Sequence, residues 1–338
     1  MKAVKMNIPN EIGIETVPSA ARKNASEVLI KVKSLGICGS DIGAFKGTNP
    51  LVSYPRIIGH EIGGEVLEIG ENTKGIKVGD KVIIEPYIPC NQCYPCSLGR
   101  TNCCETLKVL GVHIDGGMQE YVAHHIDLVS KVPEEIEWKH VAMIEPLTIA
   151  LHANHRPKVK AGEHVLIIGA GAIGLLAAQV AISYGAFPIV MDLVEERLEL
   201  ARSLCVQHTV NPVKDQAAEK IKKITNGRMA EVVIEASGSK AAIQSLFDYV
   251  AYAGRIALVG WPNSEIPLNT AMITKKELDI VGSRTSAGEF AEAIELIKDK
   301  KVVVDPLISK IVTLDEIPAA VIDIAKHPDK FIKVVAVV

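Results

Sequence analysis

HVLIIGAGAIGLLAAQVAISYG, residues 164–185, is the stretch whose reading decides the fold. HVLIIG is a continuous apolar run of the kind a central parallel strand, buried on both faces, requires. Gly169, Gly171 and Gly174 follow it and open a segment with the composition and length of a helix. In a strand–turn–helix setting the first glycine allows the tight turn and the second lets backbone approach a pyrophosphate. The third lets helix pack on strand, while the helix N-terminus attracts the phosphate charge. A lone G-x-G-x-x-G is a weak signal, because any glycine-rich turn can match it; here the context carries it. FPIVMD (187–192) is the next strand and ends in Asp192. A carboxylate there accepts hydrogen bonds from the adenosine ribose hydroxyls and repels a 2′-phosphate, so NAD is expected over NADP, with Arg197 nearby to soften the preference. Asp192 also suits the N-cap of the next helix. Ala172 and Ile173 in the turn, with Ser237 and Gly260 further on, complete the expected cofactor contacts.

Outward from this turn the alternation continues. EERLELARSLC reads as helix, HTVN as strand, DQAAEKIKKIT as helix, EVVIEASG as strand, KAAIQSLFDYVAY as helix and GRIALVG as strand. That is a doubly wound α/β domain. A helical stretch, EFAEAIELIKDKK, and a mixed tail follow, ending in the apolar strand KFIKVVAVV. Before residue 150 the texture differs: short β-rich runs such as VLIKVKSLGI, GGEVLEIG and DKVIIEPYIP are divided by glycine and proline turns. Many short strands at this spacing point to a barrel-like all-β unit. There is no internal repeat and no low-complexity linker.

With 338 residues and 48% apolar content, two domains are the natural expectation. A formal net charge of -3 with 23% charged residues argues against nucleic acid or an anionic membrane as the main partner. The first residues hold no apolar run long enough for a signal peptide, and no stretch approaches the ~18 apolar residues of a spanning helix. A cytoplasmic protein is expected. Cysteine usage agrees: of seven, five fall between Cys90 and Cys104. A secreted disulfide framework scatters its cysteines, whereas a tight cluster in a reducing compartment reads as metal ligation.

Cys90, Cys93, Cys96 and Cys104 give C-x2-C-x2-C-x7-C, with Cys103 next to the last of them. Four thiolates on one loop suit a closed, structural zinc site. An iron–sulfur cluster takes the same donors, but the longer final gap and the absence of another redox motif favour zinc. Cys205 reads as a buried hydrophobe. A second set is dispersed: Cys38 in GICGSD, His60 and Glu61 in GHE, and Glu145 in IEPLTIA. Thiolate, imidazole and carboxylate can hold one zinc and leave room for a substrate oxygen. Each has a plainer reading too, as core cysteine, buried histidine or charge at a helix start.

With these residues in view, the chain resembles the zinc-containing medium-chain dehydrogenases from end to end. GICGSD, IIGHEIGGEV, VGDKV, the four-cysteine loop, EPL and GAGAIG stand in that family's order. The resemblance implies a GroES-like β-barrel catalytic domain (1–150, completed by 285–338) and an inserted Rossmann domain (151–284). It implies two zinc ions per chain, with Cys38, His60 and Glu61 at the catalytic one. The glutamate after the histidine, together with Glu145, is similar to the sorbitol and polyol dehydrogenase branch, where Glu145 would ligate the metal directly or through water. SYPRIIGHE, GRTNCCE and VLGVHIDGG look like bacterial sugar-acid oxidoreductases of the galactonate and starvation-sensing type. Oxidation of L-gulonate to D-fructuronate or L-galactonate to D-tagaturonate is then expected, in a homodimer or homotetramer. Ser40 would take the substrate proton, although Gly43 stands where many relatives carry a relay histidine. Arg284 in GSRTS matches a branch position that, by the resemblance, reaches the cofactor and the substrate site near the nicotinamide; Arg284, Arg56 and His113 are the candidates to hold a substrate carboxylate. Rival expectations are a neutral polyol dehydrogenase, an L-threonine dehydrogenase and a non-catalytic nucleotide-binding protein; the intact Cys38, His60 and Glu61 argue against the last.

Overall fold

The computed structural model describes residues 1–71, 74–262 and 264–338. The chain divides into two compact units: Met1–Glu145 with Phe290–Lys298 and Val304–Val338, and Pro146–Glu289 with Asp299–Val303.

The first unit is built on a seven-stranded sheet. Its path runs Val129–Lys131, Lys81–Ile84, Glu61–Ile69, Glu27–Ile37, Lys333–Val337 and Ile308–Val312, with Tyr121–His125 paired to the first half of Glu27–Ile37. The ladders are antiparallel except Ile308–Val312 against Lys333–Val337. The central strand is buried almost throughout, Lys31 alone being exposed, with Val28, Ile30, Val32 and Leu35 in the core beside Ile62, Val66, Val82 and Ile84. Register places Gly36 opposite Glu61 and Ile37 opposite Val334. Glu61, Cys38 after Ile37 and Lys333 before Val334 therefore end up side by side at one end of this sheet.

The second unit is a six-stranded, all-parallel sheet in the order His208–Val210, Phe187–Met191, His164–Ile168, Ala230–Glu235, Val250–Leu258 and Asp279–Gly282. Numbered along the chain this is 3-2-1-4-5-6, the order of dinucleotide-binding sheets. His164–Ile168, the quoted run, is a central strand with Val165, Leu166 and Ile167 fully buried. Helices Ala172–Ser183, Glu195–Ser203, Ala217–Ile224 and Lys240–Tyr249 provide the crossovers. Among the described residues, no helix is long and apolar enough to cross a membrane.

Candidate metal and nucleotide sites

Cys38 leaves the central strand Glu27–Ile37, and His60 and Glu61 open its neighbour Glu61–Ile69, so sheet pairing alone brings the three together. One ligand atom from each lies within 4.8 Å of the others. His60 and Glu61 are buried and Cys38 is half-buried. Ser40 Oγ stands 3.4 Å from His60 Nε2. Glu145, at the start of the helix Ile144–His155, is buried beside them and accepts a hydrogen bond from the Tyr87 hydroxyl. Burial pushes the Glu145 carboxyl up to about 7, against the pull of His60. Burial also opposes a charged His60, but Cys38 and Asp41 outweigh it and raise its pKa well above the ordinary histidine range.

Three residues absent from the sequence reading complete this site. Asp41 is the third residue of the short helix Gly39–Phe45; its Oδ2 accepts the Cys38 N–H at 2.9 Å and its Oδ1 the Gly59 N–H at 3.3 Å. It thereby ties the two segments that carry Cys38 and His60. Tyr87 is held by Glu145, and Lys333 places Nζ 2.5 Å from Glu61 Oε1. Asp41 had a local signal, being the acidic third position of a helix capped by Cys38. Lys333 had none, since it is 272 residues from its partner.

The donor set fits a divalent metal. Glu61 Oε2 is buried with no hydrogen-bond partner, and so is His60 Nδ1. Cavity space is reserved for that oxygen: a Cβ at Gly36 would lie 1.6 Å from it. Thiolate, imidazole and carboxylate together suit zinc. The second cluster fits equally well. One Sγ from each of Cys90, Cys93, Cys96 and Cys104 lies within 4.8 Å of the rest, and all are free thiols. Backbone N–H groups of Gln92 and Cys93 lower the Cys90 thiol to about 6, while burial pushes Cys96 up to about 12. Four ionised thiolates this close require a cation, which is the service a structural metal gives. Cys103 stays outside the cluster, with Arg100 3.8 Å from its sulfur. Cys205 is exposed rather than buried, at a positive-φ position (66°) after the helix Glu195–Ser203. The helical reading of EERLELARSLC ran past the end of that helix, and so gave Cys205 an interior position it does not have.

The nucleotide candidates gather at the carboxyl end of the parallel sheet, where ligands bind in open α/β sheets. A Cβ at Gly174 would lie 1.8 Å from the Gly169 carbonyl oxygen, whereas one at Gly171 would meet nothing within 4 Å. The third glycine is thus needed for packing and the second leaves an open face. Gly171 caps the helix Ala172–Ser183 without a side-chain acceptor, so the first N–H groups of the helix, beginning with those of Ala172 and Ile173, have no cap to donate to. Asp192 follows Phe187–Met191; its Oδ2 accepts the Ala170 N–H at 2.6 Å and its Oδ1 the Val194 N–H at 2.9 Å. Arg197 lies on the helix that follows. Ser237 donates backbone and hydroxyl hydrogens to the buried Glu235, and Gly260 packs so closely there that a Cβ would lie 2.1 Å from the Gly238 nitrogen. Arg284 is exposed just past the strand Asp279–Gly282. In the first unit, Arg56 donates to Asp115 at 3.2 Å and to Ser53 at 2.7 Å, and His113 Nδ1 accepts the Val109 N–H at 3.1 Å.

Residues 24–134 match the alcohol dehydrogenase GroES-like domain and residues 172–299 the zinc-binding dehydrogenase domain. The chain belongs to the zinc-type medium-chain alcohol dehydrogenases. It is 54% identical to a zinc-type alcohol dehydrogenase-like protein of Haemophilus influenzae, over all of this chain and 98% of that one. It is 38% identical to sorbitol dehydrogenase of Bacillus subtilis (88% of this chain, 86% of the relative) and 37% to L-galactonate-5-dehydrogenase of Escherichia coli (84% of each). Among solved structures, RspB of Escherichia coli with bound NADH superposes with a TM-score of 0.91 at 33% identity, covering 100% and 99% of the two chains. The family, the GroES-like and Rossmann architecture and the dehydrogenase class are therefore as the resemblance implied; this zinc-type dehydrogenase is similar to enzymes of sugar-acid and polyol oxidation.

Proposed function

We propose that the chain is a cytoplasmic, zinc-dependent, NAD-linked dehydrogenase that oxidises a secondary hydroxyl of a sugar acid, with L-gulonate or L-galactonate as substrate. The observation that carries the reading is the convergence of Cys38, His60 and Glu61 within 4.8 Å, with Ser40 beside His60. Cys38, His60 and Glu61 would hold the catalytic zinc with Glu145 next to it, and the four-cysteine cluster a second, structural one. A zinc ion there supplies Lewis acidity that lowers the pKa of a substrate hydroxyl, and NAD supplies the hydride acceptor.

The remaining work falls to the chain. Ser40 accepts the hydroxyl proton and passes it outward; because Gly43 brings no side chain, Thr48 and Asn49 are what lie next to that position. Asp41 orients His60 while it fixes the Cys38 and Gly59 backbone. Gly171 and the open helix N-terminus hold the pyrophosphate, and Asp192 holds the ribose and disfavours a 2′-phosphate. Arg284, exposed just past the strand Asp279–Gly282, is the proposed carboxylate anchor. The 38% identity to a sorbitol dehydrogenase supports a second reading, the same chemistry on a neutral polyol.

The test is NADH formation across aldonates, alditols and L-threonine, with NAD and NADP in parallel. Turnover of L-gulonate or L-galactonate with NAD supports the sugar-acid reading. Turnover confined to alditols replaces it with a polyol dehydrogenase, and turnover of L-threonine alone overturns both.

A further inference from the structure

Lys333 is 5% exposed and opens the strand Lys333–Val337, which pairs with the strand leading into Cys38. Its Nζ lies 2.5 Å from Glu61 Oε1 and 3.4 Å from the Ile37 carbonyl oxygen. A buried ammonium is costly, and an apolar residue of similar volume would serve the core at least as well. Packing therefore does not account for it. Its effect on Glu61 does: Oε1 is taken, while Oε2 is buried, unpartnered and given room by the missing Cβ of Gly36. We infer that Lys333 is a positioning residue that restricts Glu61 to one oxygen toward the metal, holding the metal weakly enough to leave a position for substrate.

This rests on the proposed metal site at Cys38, His60 and Glu61. Outer-shell partners of metal ligands typically change affinity about 10–100-fold, and carboxylates or carbonyls in that position raise ligand basicity and strengthen binding. Lys333 is a cation, so the sign reverses. Removing it abolishes the repulsion between an ammonium and a divalent ion and frees Glu61 Oε1 to join Oε2. Both effects tighten the metal. A catalytic zinc needs an open position, and a carboxylate offering both oxygens would fill it.

The experiment follows zinc release from the full-length protein to a chromogenic chelator, with Cys38→Ser identifying the fraction that leaves this site. Lys333→Met is expected to release that zinc about 10-fold more slowly than the wild type. Lys333→Arg should restore the wild-type rate, and adding Lys333→Met to Glu61→Gln should slow release less than the same change does in the wild type, because only the repulsion is then removed. Lys333→Gln keeps a polar group without the charge; should the methionine variant not fold, it must show the same slowing. Two zinc ions in the wild type, with release unchanged or faster in the methionine and glutamine variants, would overturn the inference alone. A wild type holding only the four-cysteine zinc would overturn the metal site, and this inference with it.

Discussion

The Asp41 carboxylate stands 3.8 Å from His60 Nδ1 while its other oxygen holds the Cys38 N–H at 2.9 Å. One buried side chain thus fixes the start of a helix and faces the imidazole that sits with Cys38 and Glu61. Burial raises the Asp41 pKa even though His60 lowers it. Asp41→Asn keeps the shape and removes the charge. Zinc affinity at this site is expected to fall about 10–100-fold, with the four-cysteine zinc retained. Chelator competition measures both; unchanged affinity would show that Asp41 is a helix cap only.

Gly174 has a steric role that alanine cannot fill, since its Cβ would lie 1.8 Å from the Gly169 carbonyl oxygen. Backbone cannot yield there without moving the phosphate turn. Gly174→Ala is expected to weaken NADH binding, followed by fluorescence, about 10-fold or more, with zinc content unaltered. Gly171→Ala meets open space instead and should impair binding only through the ligand's own approach. Equal NADH affinity in Gly174→Ala and the wild type would contradict the nucleotide assignment.

Much of this was legible in the sequence, and the reason is local. The six-stranded sheet rests on runs such as HVLIIG and FPIVMD and on helices of ordinary length, each marked by composition and by glycine. The four-cysteine cluster rests on short spacing within one loop, whereas Cys38, His60 and Glu61 are dispersed in the sequence, were joined there by the family resemblance, and meet at the paired ends of adjacent strands. What escaped lacks such marks. The strand Ile308–Val312 carries three exposed residues in a row, and the helix Thr270–Lys276 is short and ends at Glu277 in a left-handed conformation. The strand Asp279–Gly282 has no fully buried residue. Lys333 and Tyr87 escaped because their partners are brought to them by the fold alone. The pairing of Arg56 with Asp115, 59 residues away, escaped for the same reason.

In the proposed reading, Arg284 is the residue that distinguishes sugar acids from polyols. Arg284→Ala should raise KM for an aldonate about 10-fold or more while leaving a neutral alditol within about twofold, because a charge-assisted contact is lost for one substrate only. Steady-state kinetics on both substrates decides it. An equal change in both would assign Arg284 to the cofactor or to the loop.

Glu289 sets an acid limit on stability. Burial raises its pKa, but hydrogen bonds from His152 (2.7 Å) and His155 (3.4 Å) outweigh that and hold it at about 2. Its folded pKa lies below the ordinary value of 4.5, so its contribution is complete above that pH and is lost as pH falls toward 2. Discounted for solvent screening, this is worth roughly 2 kcal/mol. Glu289→Gln should melt lower at neutral pH and lose less on acidification from pH 4.5 than the wild type. Parallel melting curves across that range would contradict it.

The most direct test is zinc content measured together with NADH formation in the wild type and in Cys38→Ser. Two zinc ions in an active wild type, and one zinc with a native fold and no turnover in the variant, are the predicted results. A Cys38→Ser protein that still turns over the same substrate, or an active wild type carrying only the four-cysteine zinc, would contradict the account.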